Sequence, residues 1–260
     1  MWFIYDSCGI GCCVATYCIM SFVSILTTKV SIYPLSSESY INSGVFIGIY
    51  VFLLGLAGLS HFICMVTDPG SIPRNSVQVS VEEGKVPDNY CLRCRCHKSD
   101  RTHHCSVCER CISKMDHHCP WVNNCVGAYT QKHFVLFLFY IQLACFYSFI
   151  LLILRASFCA GNQKAALCNR DKQEVASDLL MGMAAFFLAA IFFLFVTVML
   201  YDQIICIANN TSGIEILKKT AIEKRPTWEN FEETFGGRFS VFWFIPTKVP
   251  RKLSRSIDFN

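Results

Sequence analysis

Four stretches of this 260-residue chain carry no charged side chain, and each is long enough to cross a bilayer. They are Ser7–Thr28, Val45–Val66, Phe134–Leu154 and Leu179–Tyr201. A helix needs about 20 apolar residues to cross a hydrocarbon core of ~30 Å. Within lipid, a helix satisfies every backbone hydrogen bond from its own segment. One such span would equally suit a buried helix of a soluble protein; four in so short a chain do not. Hydrophobic residues make up 53% of the sequence and charged residues only 16%, so the chain reads as a multi-pass membrane protein. The net charge of +4 gives no electrostatic case for nucleic acid. No basic segment precedes the first span, which points away from a cleaved signal peptide.

Lysine and arginine set the expected orientation. Residues 67–133 and 208–260 hold eighteen of the 23 basic residues, and the other two loops share Lys29, Arg155, Lys164, Arg170 and Lys172. The positive-inside rule predicts that residues 67–133, 208–260 and the N-terminus face the cytosol. Cys159 and Cys168 then fall in a non-cytosolic loop and could pair. Cys8, Cys12 and Cys13 lie where acylation is conceivable but read as small packing residues. Gly44, Gly48, Gly55 and Gly58 suit close helix packing. Asp202 ends the fourth span and reads as a hydrated helix end.

Between the second and third spans, residues 91–125 hold eight cysteines and five histidines. Cys91, Cys94, His104 and Cys111 follow the pattern C-x2-C-x9-H-x6-C. Fourteen residues on, Cys105, Cys108, His118 and Cys125 repeat it. Each set offers three thiolates and one imidazole, the ligands of a closed tetrahedral structural zinc site. Two interleaved zinc ions would staple a segment with too few apolar residues for a core of its own. Cysteines at this spacing favour metal in a reducing compartment over a secreted disulfide scaffold. Cys96 and His97 lie outside the repeat and read as solvent-side residues. Cys119 begins a third copy, but Val122 stands where its knuckle partner would be. Asp116, His117 and Cys119 are thus left without a structural duty. An acid, an imidazole and a thiol are the parts of an activated cysteine nucleophile.

The run Asp116-His117-His118-Cys119, followed by Pro120-Trp121 and Asn123-Asn124-Cys125, resembles the DHHC family of protein S-acyltransferases. Asp68-Pro69-Gly70 after the second span matches the family as well. Ser212-Gly213-Ile214-Glu215 stands where the family has TTxE; only the glutamate is kept, which puts that segment's contact with the DHHC region in question. Residues 230–236 resemble the family's N-x4-F-G segment. Ser99 stands where a proline is usual. The resemblance implies acyl transfer from acyl-CoA, palmitoyl-CoA above all, to Cys119, and then to cysteines of cytosolic or membrane proteins. His117 would be the base and Asp116 its orienting partner. It also implies a place in the endomembrane system: Golgi, ER or plasma membrane. The other reading is a membrane-tethered zinc scaffold without chemistry. A RING-type ubiquitin ligase has a different ligand spacing.

The expected fold is membrane all-α, with a two-zinc module between helices 2 and 3 and an amphipathic cytosolic tail. Residues 1–66 hold helices 1 and 2, and 67–133 an irregular linker (71–90) and the zinc module. Residues 134–207 hold helices 3 and 4, and 208–260 the tail, where Trp228, Phe231 and Phe235 share a helical face. Small Ala144, on the third span, is expected to leave room for an acyl chain longer than C16.

Overall fold

A computed structural model describes residues 2–32, 43–76, 89–99, 101–161, 168, 171–220 and 224–249. Four helices are long and apolar enough to cross a membrane. α1 (Ser7–Thr27) runs on into a π-helical turn, Thr28–Ile32; α2 is Ser43–Val66, α3 is Gln131–Gly161 and α4 is Lys172–Ala208. The last two outrun their apolar spans. At 1.5 Å per residue they reach about 46 and 55 Å, beyond a ~30 Å core. Hydropathy marks only the lipid-facing length, so the charged residues at their ends concealed the extra turns. Asp202 is exposed, as expected, but α4 continues six residues beyond it.

Between α2 and α3 the described chain forms three two-stranded antiparallel hairpins, so the module is β-structured rather than helical. β1 (Tyr90–Cys91) pairs with β2 (Cys96–His97), β3 (Thr102–Cys105) with β4 (Arg110–Ser113), and β5 (His117–Cys119) with β6 (Asn124–Val126). Arg95, Glu109 and Asn123 all adopt the left-handed conformation, with φ of 50°, 50° and 46°. They lie fourteen residues apart. The sequence repeat is thus a backbone repeat that includes the third copy, where the ligand pattern fails. After the hairpins come α5 (Gly213–Lys218) and α6 (Thr227–Phe235).

The chain divides into two compact units. One comprises Met1–Cys13, Ser60–Leu136 and Asp202–Asn260; the other comprises Val14–Leu59 and Phe137–Tyr201. Apart from Cys168 and Asp171, the described residues of the second are helical. Large apolar side chains such as Phe52, Ile191 and Leu194 are exposed, as a lipid-facing surface requires. Inside it, the Tyr50 hydroxyl and Ser148 Oγ are 2.7 Å apart, and Gln142 Nε2 donates to Thr197 Oγ1 at 3.1 Å. Ala144 is buried in a cluster with Ile32, Tyr50 and Leu151. A larger side chain there would meet packed neighbours rather than open space. Cys159 and Cys168 form a disulfide, and Arg155 pairs with Asp178 at 3.6 Å.

In the first unit, Asp68 builds the turn that stops α2. Its Oδ1 accepts from the Gly70 and Ser71 amides, and its Oδ2 from Ser71 Oγ. Gly127 fits against this turn: a Cβ there would lie 2.8 Å from the Pro69 carbonyl oxygen. Residues 77–88, most of the expected linker, lie outside the described residues. Trp228, Phe231 and Phe235 do share a face, and all three pack against Trp243 with ring centroids 5.3, 6.4 and 4.9 Å away. Cys13 is buried as a packing residue, whereas Cys8 is exposed.

Candidate active site and metal centres

Both predicted ligand sets are brought together. Cys91, Cys94, His104 and Cys111 form one cluster and Cys105, Cys108, His118 and Cys125 the other. Within each, the ligand atoms all lie within 4.8 Å of one another. Both histidines present Nδ1: His104 Nδ1 is 3.7, 3.2 and 3.9 Å from Cys91, Cys94 and Cys111 Sγ. His118 Nδ1 is 3.7, 3.4 and 3.7 Å from Cys105, Cys108 and Cys125 Sγ. Zinc–ligand bonds of about 2.3 and 2.0 Å at tetrahedral angles put neighbouring ligands roughly 3.5–3.8 Å apart, so the residues fit a metal ion of that size. The thiols also compete for ionisation. Hydrogen bonds from Cys108 and Cys125 push the Cys105 thiol far below its ordinary range, and the hydrogen bond to Cys105 lifts Cys108 to about 12. Thiols crowded round one point cannot all ionise without a positive charge between them.

The repeat explains the clamping. Each knuckle takes its other two ligands from the next hairpin. Cys91 and Cys94 of the first hairpin meet His104 and Cys111 of the second, and Cys105 and Cys108 of the second meet His118 and Cys125 of the third. Cys119 belongs to the third knuckle, which has no hairpin after it.

Cys119 is 5% exposed and precedes a 3-10 turn, Pro120–Val122. Asp116 is buried and triply held. Its Oδ2 accepts from His117 Nδ1 at 2.7 Å and from Gln203 Nε2 at 2.8 Å, and its Oδ1 accepts from the Gly213 amide. Burial alone would raise the Asp116 carboxyl; the His117 hydrogen bond, the Gly213 amide and Gln203 together bring it below the ordinary range. Burial alone would lower His117. Asp116 and Cys119 together outweigh it and raise the imidazole to about 9. The His117 ring also packs edge-on to Phe134, with centroids 5.5 Å apart, and among the described residues its buried Nε2 has no hydrogen-bond partner.

Several supports were not anticipated. Gln203 and Gly213 bond Asp116 from 87 and 97 residues away. The question over the TTxE-like segment is answered by backbone geometry. Ser212 and Glu215 form a capping box that starts α5 and presents the Gly213 amide to Asp116. A Cβ on Gly213 would lie 3.2 Å from Asp116 Oδ1, which is why a small residue suits the position. Glu215 accepts from Arg101 Nε at 2.6 Å and from its Nη2 at 2.9 Å, and Arg101 Nη1 donates to Asn210 Oδ1 at 2.8 Å. Ser99 closes the turn into β3 by a 2.6 Å contact with Thr102 Oγ1. The two asparagines tie the hairpins to the N-terminal arm and α2. Asn123 Nδ2 donates to the Ile4 carbonyl, and Asn124 Nδ2 to the carbonyls of Cys64 and Thr67. Gly9 makes that approach possible, since a Cβ there would lie 2.2 Å from Asn123 Oδ1.

One expectation is overturned. Cys96 is not solvent-side: it is fully buried against Cys91, Cys94 and Cys111. β2 turns it inward, because its register partner is Cys91. His97 is exposed, as expected, with its Nε2 2.8 Å from Asn89 Nδ2.

Comparison with known proteins gives a consistent picture. Residues 85–220 match the family model for DHHC palmitoyltransferase. The chain is 37% identical over 256 residues to palmitoyltransferase ZDHHC3-A of Danio rerio, covering 95% of this chain and 78% of that protein. It is 38% identical over 255 residues to palmitoyltransferase ZDHHC7 of Rattus norvegicus, covering 95% and 80%. Probable protein S-acyltransferase 12 of Arabidopsis thaliana is 35% identical over 215 residues, covering 76% and 71%.

Proposed function

Because this chain belongs to the DHHC palmitoyltransferase family, we propose that it is a membrane-embedded protein S-acyltransferase that works through an acyl-cysteine on Cys119. The observation that carries the reading is buried Asp116, hydrogen-bonded to His117, two residues before a thiol that neither metal cluster uses. The Cys119 thiolate attacks the thioester carbonyl of a long-chain acyl-CoA, palmitoyl-CoA above all, and the acyl group moves to sulfur as CoA leaves. His117 takes the Cys119 proton at Nε2. Asp116 holds the ring through Nδ1 and stabilises its cation. A cysteine of a cytosolic or membrane protein then attacks the acyl-Cys119 carbonyl, and Cys119 leaves as thiolate.

Two zinc ions suit the two ligand sets, and when bound they cross-link successive hairpins. The chain's own part is to let His118 serve in that cross-link while His117, one residue earlier, turns to Asp116. The excess of basic residues in 67–133 and 208–260 supports a cytosolic hairpin module, and family membership supports a place in the endomembrane system. The disulfide between Cys159 and Cys168 supports the opposite side for its loop, since disulfides persist in oxidising compartments. Functionally, 1–66 and 134–207 anchor and bind the acyl chain, 67–133 carries the chemistry, and 208–260 braces it.

The test uses the purified full chain in detergent with palmitoyl-CoA. A hydroxylamine-labile acyl group should appear on Cys119 and be chased off by an acceptor thiol. A stable label, or one that persists in Cys119→Ser, would overturn the reading.

A further inference from the structure

The repeat places Cys96, Arg110 and Asn124 at one structural position, opposite the first knuckle residue of each hairpin: Cys91 faces Cys96, Cys105 faces Arg110, and Cys119 faces Asn124. Two of the three are long or polar side chains that metal sites of this kind do not use. The first is a thiol, 0% exposed and buried with the three thiols of the first ligand set. His104, the fourth ligand of that set, is only half-buried and lies 3.9 Å from Cys111 Sγ. The first set of four ligand atoms, all within 4.8 Å of one another, therefore has a fifth side chain, a thiol, packed against it. The second has four, with Arg110 where the fifth would be.

We infer that Cys96 is a reserve ligand of the first metal site, able to replace His104 and turn a three-thiolate, one-imidazole zinc site into a four-thiolate one. Both sets are established structural zinc chemistry. In the exchange the bond to His104 Nδ1 breaks and a bond to Cys96 Sγ forms. The thiol proton passes to the freed imidazole nitrogen, so no oxidant or other reactant is needed. The inference rests on the two ligand sets proposed above.

The test counts zinc on the purified full chain, with cobalt(II) as a spectroscopic probe. Wild type should hold two zinc ions. His104→Ala should still hold two, and in the cobalt form its sulfur-to-metal charge-transfer band should grow as a fourth thiolate enters. His118→Ala should hold one, and so should His104→Ala combined with Cys96→Ser. Loss of a zinc from His104→Ala as complete as that from His118→Ala would overturn the inference. Should His104→Ala fail to fold, chelator-driven zinc release decides. Cys96→Ser alone should lose one of its two zinc ions several-fold faster than wild type, and equal rates would overturn the inference. A wild type holding fewer than two zinc ions would remove the ligand sets and the reserve role together.

Discussion

In the second hairpin, Cys105 and Cys108 flank a turn that ends on Glu109 at φ 50°. In the third, Cys119 and Val122 flank a turn that ends on Asn123 at φ 46°. The backbones match and the chemistry does not. The second knuckle meets His118 and Cys125 from the hairpin that follows. The third is followed by α3, so no ligand arrives and the thiol stays free. The histidines before His104 and His118 diverge as well. His103 has Thr102 before it and Lys218 Nζ 3.4 Å from its Nδ1; burial and that cation push its pKa down. His117 has Asp116 in the matching place and is raised to about 9 despite burial. One repeated scaffold thus gathers a set of four Cys and His side chains where a further hairpin follows it. Where none follows, and a carboxylate replaces a threonine, it leaves a thiol outside both sets and an imidazole bonded to that carboxylate.

The largest expected contrast is between the two knuckle cysteines. Cys119→Ser should abolish the hydroxylamine-labile acyl-enzyme and keep two metal ions per chain. Cys105→Ser should lose a metal ion and melt at markedly lower temperature, because no metal then ties the third hairpin to the second. Metal analysis and gel-based acyl labelling on the same preparations check both. Loss of metal from Cys119→Ser would move Cys119 into the clamp and dissolve the comparison.

The paired histidines divide the same way over one residue. His117→Ala should lower self-acylation by about 10²–10⁴-fold, the usual worth of a positioned base, with metal content unchanged. His118→Ala should lose one metal ion. If the two variants behave alike, the assignment of one imidazole to metal and its neighbour to proton transfer is wrong.

Protonation gives a smaller, pH-resolved contrast. The folded pKa of His117, about 9, lies above its ordinary value near ~6.5. Its pairing with Asp116 is therefore fully stabilising below about pH 6.5 and is lost as pH rises through about 9. Asp116 is shifted down, so its contribution is present above the ordinary carboxylate range and is lost on acidification. The melting-temperature gap between wild type and His117→Ala should be widest near pH 6 and should close by about pH 10. A gap independent of pH would mean that packing against Phe134, not charge, is what His117 contributes.

The two Cys/His clusters, the spans and the Asp116–His117 pair were legible because each is a local spacing: a knuckle, a run of about 20 apolar residues, a four-residue motif. The bracing of Asp116 was not, because Gln203 and Gly213 carry no periodic or compositional signal and meet it only after folding. Cys96 misled for a related reason. The repeat is complete without it, and burial is set by strand register, which a two-residue strand does not advertise. The lengths of α3 and α4 were hidden because polar residues such as Lys132 are held by the fold: its Nζ donates to the Phe242 carbonyl at 2.8 Å.

The smallest expected effect separates the two differences between the knuckles. The third lacks a second cysteine, and it also lacks a following hairpin. Val122→Cys restores the first and leaves the second. Val122 is fully buried, and a thiol is close to it in size and polarity, so the exchange should cost about 1 kcal/mol or less. Two thiols on one tight turn supply half of a tetrahedral site, and nothing downstream supplies the rest. Metal content should stay at two per chain, and self-acylation should stay within a few-fold of wild type. A third metal ion, bound tightly enough to survive desalting and accompanied by loss of acylation, would show that Val122 alone keeps Cys119 free. The missing hairpin would then be incidental.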